Sequence, residues 1–295
     1  MKGYKAFSKG LVCRGKRYAE NTVFEEESAE ICKIGMHFCK NPLDTLDYYP
    51  LIDNKGNITE FAEVEALDDA KTNDNKKFCT KKLKIGAKLN LSQFIKASVD
   101  VTYQNIKSEV DKKSLKATAG GDNATLAGGD NATLVGGNCA KLVGGNYATL
   151  AGGYNAKLAG GDNATLAGGD RAKLVGEYNA KLVGGNCAKL VGGNYATLAG
   201  GDNATLAGGY NATLAGGNCA KLVGGNYATL AGGENAIIVG DNGSVAKGKK
   251  GAIIVLVERD DSSNIVNFKA VQVDGEKIKE DVLYKLENGK FVAVE

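Results

Sequence analysis

One eight-residue phrase, Gly-Gly-Asp-Asn-Ala-Thr-Leu-Ala at residues 120–127, recurs almost without interruption up to residue 247. A period this strict is typical of solenoids and repeat arrays, in which each unit packs only on its neighbours. Leu recurs at every eighth position from 126 to 230, and Ala stands two residues before each Leu. Residues two apart share a face of a β-strand. Each octad therefore predicts one short strand with Ala and Leu turned inward, and a corner at which the two glycines take positive φ.

The residue between Ala and Leu alternates between Lys and Thr in successive octads, and this alternation predicts that one coil consists of two octads. In one set this outward residue is Lys, at Lys141, Lys157, Lys173, Lys189 and Lys221. In the other set it is Thr, at Thr133, Thr149, Thr165, Thr197, Thr213 and Thr229. The second set also has tyrosines near the preceding corner, at Tyr147, Tyr178, Tyr195, Tyr210 and Tyr227. Four residues depart from the sorting, namely Thr125, Thr205, Lys181 and Tyr154.

The predicted coil has sixteen residues and two strands, with a Lys-rich face and a Thr-rich face. Stacked coils pair as parallel strands about 4.8 Å apart, so about eight coils give a rod of roughly 38 Å. Its two ends would leave unpaired strand edges that invite aggregation, and terminal caps are therefore expected.

Residues 1–90 predict a small α+β domain. Its predicted strands are Gly3–Phe7 and Phe61–Leu67, the second of which alternates apolar with acidic residues. The Asn-Pro pair that opens residues 41–49 predicts a short helix, because Asn is a good N-cap and Pro is tolerated in the first turn. Residues 68–77 predict a charged loop.

A helix is predicted over Leu89–Val110, because its apolar residues are spaced so that they share one helix face. These residues are Ile95, Val99, Tyr103, Ile106 and Val110. We interpret residues 91–119 as a helical linker or N-terminal cap of the solenoid.

Residues 248–295 predict a small β cap. The apolar run 251–257 is typical of a buried strand, and two more strands are predicted at Ile265–Val273 and Phe291–Val294. Two hairpin-type turns are predicted at Asp274-Gly275 and Asn288-Gly289. The predicted fold is therefore mainly β. It is a parallel β-solenoid at 120–247 with two strands per sixteen-residue coil, flanked by the α+β domain and the β cap.

Charge and cysteine content narrow the function classes. The net charge is +3, and acidic and basic residues balance within the repeat. A nucleic-acid mimic is expected to be strongly acidic and a phosphate-neutralising binder strongly basic, so direct binding of nucleic acid is not expected. The sequence has neither an apolar run that could span a bilayer nor a secretory leader. Its seven cysteines lack a regular disulfide spacing, which favours reduced thiols and a cytosolic location.

The leading domain holds the one histidine, His37, among Cys13, Cys32, Cys39 and Cys79. Cys and His are the usual tetrahedral ligands of zinc. No Cys-x-x-Cys pair is present, however, so buried free cysteines are the favoured interpretation and no metal or cofactor is predicted.

The lysine and tyrosine rows are the predicted partner-binding residues. Lysines stacked at coil spacing concentrate positive charge that would favour an anionic partner, and the alternative is a solvated face that keeps the rod soluble. The five tyrosines are candidates for an exposed aromatic ladder suited to protein contact, and the alternative is corner packing within the monomer.

The threonine row raises a different prospect, an array of methyl and hydroxyl groups that orders water. The next outward slot is predicted to hold alanine, at Ala151, Ala167, Ala199, Ala215 and Ala231. Lys181 interrupts the threonine row. The array is therefore only half formed.

The octad is similar to the repeat of ice-nucleation proteins in period, glycine corner, Thr slot and sixteen-residue pairing. It lacks that family's second Thr and spans a much shorter array. The leading segment resembles an uncharacterised domain common in phage and prophage proteins. That resemblance rests on the segments Lys2-Gly3-Tyr4-Lys5-Ala6-Phe7, Cys13-Arg14-Gly15, Gly35-Met36-His37-Phe38-Cys39 and Asn41-Pro42-Leu43. Such proteins often carry a repeat solenoid behind the domain and end in a segment like 271–278, Val-Gln-Val-Asp-Gly-Glu-Lys-Ile.

A further likeness sets Gly35-Met36-His37-Phe38 and Tyr48-Tyr49 beside the Gly-x-Tyr-Phe and helix Tyr of ADP-ribosyltransferases. The histidine that such enzymes place on their first core strand has no counterpart near residues 3–7. The likeness implies a nucleotide-binding or ADP-ribosyltransferase-like leading domain.

Together these observations predict a non-enzymatic, phage-encoded binding protein in the host cytoplasm. We expect it to bind and inhibit a host protein complex, an anti-defence role such as that of an anti-CRISPR protein. A homodimer through the tyrosine row or the cap is a further option, and no membrane partner is expected. The alternatives are an ice-binding solenoid and the nucleotide-directed leading domain.

Overall fold

The structure is a computed structural model that describes residues 1–53, 56–111 and 117–294, apart from the side chains of 92, 103, 106–111 and 117. It divides into two compact units, Met1–Val101 and Thr102–Glu295. It confirms a mainly β fold with a solenoid of sixteen-residue coils, strands at the C-terminus and few helices. Among the helices of the described ranges, none is both long and apolar enough to cross a membrane.

The first unit contains a seven-stranded antiparallel sheet. Its strands are β1 (Lys2–Phe7), β4 (Val23–Glu25), β5 (Met36–Cys39), β6 (Glu60–Ala66), β7 (Lys71–Thr72), β8 (Lys77–Thr80) and β9 (Lys82–Leu89). They lie in the order β4-β9-β6-β1-β5-β8-β7. A separate small hairpin consists of β2 (Val12–Cys13) and β3 (Lys16–Arg17). The predicted strands Gly3–Phe7 and Phe61–Leu67 are confirmed as β1 and β6, which pair over six residues.

The short predicted helix is a 3₁₀ helix, Pro42–Asp47. Asn41 caps it as expected, because its side chain accepts a hydrogen bond from the Leu43 N–H at 3.0 Å. The predicted loop 68–77 is partly wrong, since it contains β7, which pairs with β8.

The predicted helix over residues 89–110 is α1 (Leu91–Asp111). Its predicted face is partly wrong: Ile95 is buried, but Val99 is only half-buried. The side chains of Tyr103, Ile106 and Val110 lie outside the described residues. Phe94 supplies a contact that the prediction missed, because its ring stacks on Phe61 of β6 at 3.9 Å between centroids.

The solenoid consists of two parallel sheets whose strands alternate along the chain. The Thr-side strands are β10 (Ala117–Ala119), β12 (Thr133–Gly136), β14 (Thr149–Gly152), β16 (Thr165–Gly168), β18 (Lys181–Gly184), β20 (Thr197–Gly200), β22 (Thr213–Gly216), β24 (Thr229–Gly232) and β26 (Val245–Lys247). The Lys-side strands are β11 (Thr125–Ala127), β13 (Lys141–Val143), β15 (Lys157–Ala159), β17 (Lys173–Gly176), β19 (Lys189–Gly192), β21 (Thr205–Gly208), β23 (Lys221–Gly224), β25 (Ile237–Gly240) and β27 (Ile253–Arg259). Within the described ranges this makes nine coils rather than about eight, because residues 117–119 and 253–259 also contribute strands.

Every coil pairs with the next in a register of sixteen residues. Leu174 lies opposite Leu190, which lies opposite Leu206 of the following coil. These leucines and the alanines that precede them are at most 1% exposed, so they form the core of the rod. Full burial of a leucine contributes roughly 1.5–3 kcal/mol, and the repeat multiplies that term.

The corners correct the predicted role of the glycines. None of the paired glycines of the octad has a positive φ in the described repeat; the fourth residue does, as at Asn203 with φ 58°. Glycine is required for space instead. A Cβ on Gly200 would lie 2.7 Å from both Ala204 Cβ and Leu206 Cδ1, and one on Gly201 would collide with the Asn186 side chain.

The third residue of the octad closes the corner with a hydrogen bond to the next coil. Asp170 Oδ1 accepts from the Asn186 N–H at 2.7 Å, and Asn186 Oδ1 accepts from the Asp202 N–H at 2.9 Å. An Asp or Asn at this position therefore ties each corner to the one above it.

At the C-terminal end the two sheets continue with antiparallel strands. These are β28 (Ile265–Gln272), paired with β27, and β29 (Tyr284–Glu287) with β30 (Lys290–Ala293), joined to β26. Asn288 and Gly289 form the predicted two-residue turn between β29 and β30, with φ of 49° and 71°. The other predicted hairpin turn is wrong. Asp274 Oδ1 accepts from three successive N–H groups, but β28 and β29 belong to different sheets.

We expect Leu190→Ala to lower the free energy of unfolding of the solenoid by about 2–5 kcal/mol, because it removes a buried side chain and leaves a cavity. The neighbouring Val191 is 49% exposed, so Val191→Thr should change it by no more than about 0.5 kcal/mol. Urea unfolding followed by circular dichroism measures both. Equal sensitivity at the two positions would contradict the assignment of the core.

Candidate functional site

The predicted lysine row is one column on the Lys-side sheet. Lys141, Lys157, Lys173 and Lys189 are successive register partners, and Thr205 separates Lys189 from Lys221. All five lysines are exposed. Within the described ranges none of them has a carboxylate within 4.0 Å of its amine. The strands that carry these lysines are about 4.8 Å apart, and like charges on neighbouring strands repel one another. An anionic partner would reduce this repulsion.

A column of valines lies beside the lysines, and the sequence reasoning missed it. Each valine stands two residues after a lysine on the same face of the same strand. The members are Val143, Val175, Val191 and Val223, which are 49–52% exposed. A signal was present in the sequence, because Lys-Leu-Val recurs on this side where Thr-Leu-Ala dominates the other.

The tyrosines line the corner that follows the Lys-side strands. Tyr178, Tyr195, Tyr210 and Tyr227 contact one another in succession, with ring centroids 5.3, 5.6 and 5.4 Å apart. Each ring remains 42–51% exposed. Tyr147 is 62% exposed and lies outside this ladder. The tyrosine rings therefore pack on one another, and part of each ring remains accessible to solvent or to a partner.

Lysine, valine and tyrosine follow one another in four of the coils, as in Lys189, Val191 and Tyr195. Their columns are consequently adjacent and form one surface, here named the basic–aromatic face. It consists of Lys141, Lys157, Lys173, Lys189, Lys221, Val143, Val175, Val191, Val223, Tyr178, Tyr195, Tyr210 and Tyr227, with Tyr147 at its edge. The structure thus places the two predicted rows side by side and adds an apolar strip between them.

The threonine side differs from its prediction. The threonines stack in register, as Thr149 on Thr165, and Lys181 interrupts them as expected. The outward alanine slots do not reach solvent, however, since Ala151, Ala167, Ala199, Ala215 and Ala231 are at most 2% exposed. The half-buried threonines are therefore a single column with no exposed second row beside it.

A second chemically distinctive site is a cavity of about 270 Å³ in the N-terminal unit. Its lining includes Lys5, Cys13, His37 and Tyr49. Lys5 Nζ donates to the His37 carbonyl at 2.7 Å, and the Tyr49 hydroxyl donates to Cys13 Sγ at 3.1 Å. Burial lowers the pKa of Lys5, and the neighbouring Cys13 opposes that shift.

His37 is held in its neutral form. Burial, together with the charges of Lys5, Arg14 and Lys77, lowers its pKa from 6.5 to about 4. Its Nε2 accepts a hydrogen bond from the Cys32 N–H at 3.0 Å. That nitrogen is therefore engaged in holding the loop before β5.

The cysteines around His37 remain separate thiols. Burial foremost, and then the charge of Asp44, raises the pKa of Cys39 to about 12. In the ranges that the structure describes, no cluster of three or more His, Cys, Asp and Glu side chains could hold a metal ion.

Residues 1–97 match a family described as a domain of unknown function, DUF7666. The match covers about a third of the chain, which therefore has an N-terminal DUF7666 domain followed by a β-solenoid of repeats. No curated protein and no solved structure matches the chain.

The tyrosine ladder can be tested with asparagine, which other octads have at the same corner position and which tolerates the positive φ found at Tyr147 and Tyr195. We expect Tyr195→Asn to lower the free energy of unfolding by about 1–2 kcal/mol, because it removes two ring contacts. Tyr147→Asn should leave it unchanged or raise it slightly. Thermal unfolding of both variants measures the difference, and an equal loss at both sites would show that ring contacts are not the cause.

His37 is the only histidine, so its ring signals in an NMR titration are unambiguous. We expect a midpoint near pH 4 in the folded chain and near 6.5 in urea. Because the unfolded state binds this proton more tightly, the stability that the neutral ring contributes is complete above pH 6.5 and is lost as the pH falls towards 4. His37→Gln should reduce the change in unfolding midpoint across that window. A folded-state midpoint near 6.5 would contradict the described burial.

Proposed function

We propose that this chain is a non-enzymatic binding protein whose solenoid presents the basic–aromatic face to an acidic protein partner. One observation carries the proposal. Half-exposed valines and tyrosines occupy the same coils as five lysines that lack carboxylate partners in the described ranges. Tyrosine is enriched at protein interfaces, where its ring buries a large area at a low cost in side-chain entropy.

The rigidity of the scaffold supports the same proposal. The side chains of the face are held at fixed spacing by strands that pair with both neighbours, as β19 pairs with β17 and β21. Little conformational entropy is therefore lost when a partner binds, and the free energy of the contacts is retained as affinity. The lysine column also accelerates encounter with an acidic surface.

The size of the face sets the expected affinity. Five coil steps from Lys141 to Lys221 span about 24 Å, and the six residue steps from Lys189 to Tyr195 span at most about 20 Å. The product is at most about 480 Å², a little over half of what a standard interface buries on each partner. We therefore expect the face alone to give a salt-sensitive affinity in the micromolar range, and tighter binding only where the partner extends beyond it.

The same charges argue against a face-to-face homodimer. Two copies that met through this face would bring lysine columns together, which is unfavourable wherever water is excluded. An acidic partner of a different kind avoids that penalty. The tyrosine row is accordingly proposed for a heterologous contact.

We further propose that the chain is phage-encoded, acts in the host cytoplasm and inhibits a host protein complex, an anti-defence role. The support is the resemblance of the leading segment and of residues 271–278 to segments of phage and prophage proteins. A rigid surface that binds its target without altering it suits an inhibitor that acts by occupation.

The test is affinity capture from host cells with the full chain and with Lys173→Glu/Lys189→Glu, which reverses two charges at the centre of the face. We expect the captured protein to be lost or bound at least tenfold more weakly, because like charges would now meet at the interface. Lys76→Glu/Lys81→Glu makes the same change in net charge on exposed residues of the other unit and should have no effect. Equal loss with both variants, or retention with the first, would contradict the proposed face.

A further inference from the structure

The cavity of the N-terminal unit contains a buried lysine amine that has no carboxylate partner in the described ranges. Lys5 is 4% exposed, and its Nζ donates to the His37 carbonyl and also interacts with the Cys13 side chain. It lies 5.4 and 5.6 Å from the ring centroids of Phe7 and Tyr18. Carbonyl oxygens and ring faces stabilise a cation, but they do not neutralise it. Within the described ranges no carboxylate lies within 4.0 Å of Lys5 Nζ.

Among the residues that the structure describes, the one carboxylate that lines the cavity is already engaged. Glu26 Oε1 lies 3.0 Å from Lys16 Nζ, and Glu26 Oε2 accepts from the Gly35 N–H at 3.1 Å. Glu26 is therefore paired with Lys16 and does not neutralise Lys5. A buried charge is normally paired, because an unpaired one loses its hydration without compensation.

Lys16 and Lys33 line the same cavity but pair with Glu26 and Glu30, whereas two further lining cations have no such pair in the described ranges. The Arg14 guanidinium donates a long hydrogen bond to the Lys33 carbonyl at 3.4 Å. Lys77 Nζ lies 4.4 Å from the centroid of the Tyr48 ring and 3.1 Å from Cys32 Sγ. Both residues line the cavity together with Lys5, and each of the three charges lowers the pKa of His37. In the part of the chain that the structure describes, neither Arg14 nor Lys77 has a carboxylate partner.

We infer that this cavity, the Lys5 pocket, binds a small phosphate ester whose phosphate lies among Lys5, Arg14 and Lys77. Three cations match a phosphate dianion better than a carboxylate, which would leave two of them unneutralised. Arg14 can donate two parallel hydrogen bonds to phosphate oxygens, and lysine amines bind the same group as point charges.

The organic part of the ligand is limited by size and by the aromatic wall. The volume of about 270 Å³ lies just below the roughly 300 Å³ at which pockets for drug-sized ligands begin. Tyr48 and Tyr49 line the cavity and offer ring faces to a sugar or a base. A sugar phosphate or a mononucleotide fits these limits, and a dinucleotide exceeds them. This inference concerns the N-terminal unit alone and does not depend on the basic–aromatic face.

The test uses isothermal titration of the full chain with inorganic phosphate, ribose 5-phosphate, AMP and uncharged ribose. We expect at least one ester to bind more tightly than inorganic phosphate, and ribose not to bind. Binding by ribose 5-phosphate and AMP alike assigns recognition to the sugar phosphate, whereas binding by AMP alone assigns it to the base as well. If neither ester binds, or if phosphate alone binds as tightly as both, the assignment of an ester is wrong.

Two variants separate a binding role from a structural one. Lys5→Met keeps the length of the side chain but removes its charge. We expect it to weaken ester binding at least tenfold and to raise the unfolding temperature of the free chain, since an unpaired buried charge is relieved. Arg14→Gln lies at the exposed mouth, so it should weaken binding about as much without a change in unfolding temperature.

Lys2→Met is the matched control, because Lys2 is exposed on the same strand and does not line the Lys5 pocket. It should bind the ester as the unaltered chain does. Unchanged affinity in both Lys5→Met and Arg14→Gln would overturn the inference, as would equal losses in all three variants.

Discussion

The solenoid depends on parallel pairing in a register of sixteen residues, which places each side chain on the residue sixteen positions later in the next coil. Leu190 lies between Leu174 and Leu206, and Asn186 links Asp170 to Asp202 through hydrogen bonds between side-chain oxygens and backbone N–H groups. The same register that fills the interior with leucine also orders the exterior. Whatever residue occupies an outward slot becomes a column, so the chemistry of the surface is a direct consequence of the pairing that stabilises the core.

This dependence explains which features the sequence could predict. The periodic ones were accessible, because the period itself fixes which residues share a face, and the lysine column, the threonine column and the leucine core are all confirmed. The role of the glycines was predicted wrongly because a sequence does not show whether a glycine is required for a positive φ or for lack of space. Only the backbone reveals that Gly200 is needed to clear Leu206, while Asn203 takes the left-handed conformation. The frequency of Asn at the fourth position was the available signal, since Asn adopts that conformation readily.

The aperiodic N-terminal unit was far less predictable. Its strands β4 and β9 pair Val23 with Lys84, a separation that no local pattern encodes. Several of its strands have only two to four residues, too short for alternation to be recognised. The Lys5 pocket was missed for the same reason. Lys5 is a lysine within the buried end of β1, and its significance becomes clear only when Arg14 and Lys77 are found to line the same cavity.

The tyrosines on the solenoid carry a conformational cost that bears on their purpose. Tyr147, Tyr195 and Tyr227 have φ near +60°, which costs an ordinary side chain about 1 kcal/mol and asparagine less. In Tyr195 the contacts with two neighbouring rings offset that cost, so stability alone can account for it. Tyr147 has no ring contact within the described ranges and is the most exposed of the five. Fold stability gives no reason for a tyrosine there, and a partner that buries its ring would supply one.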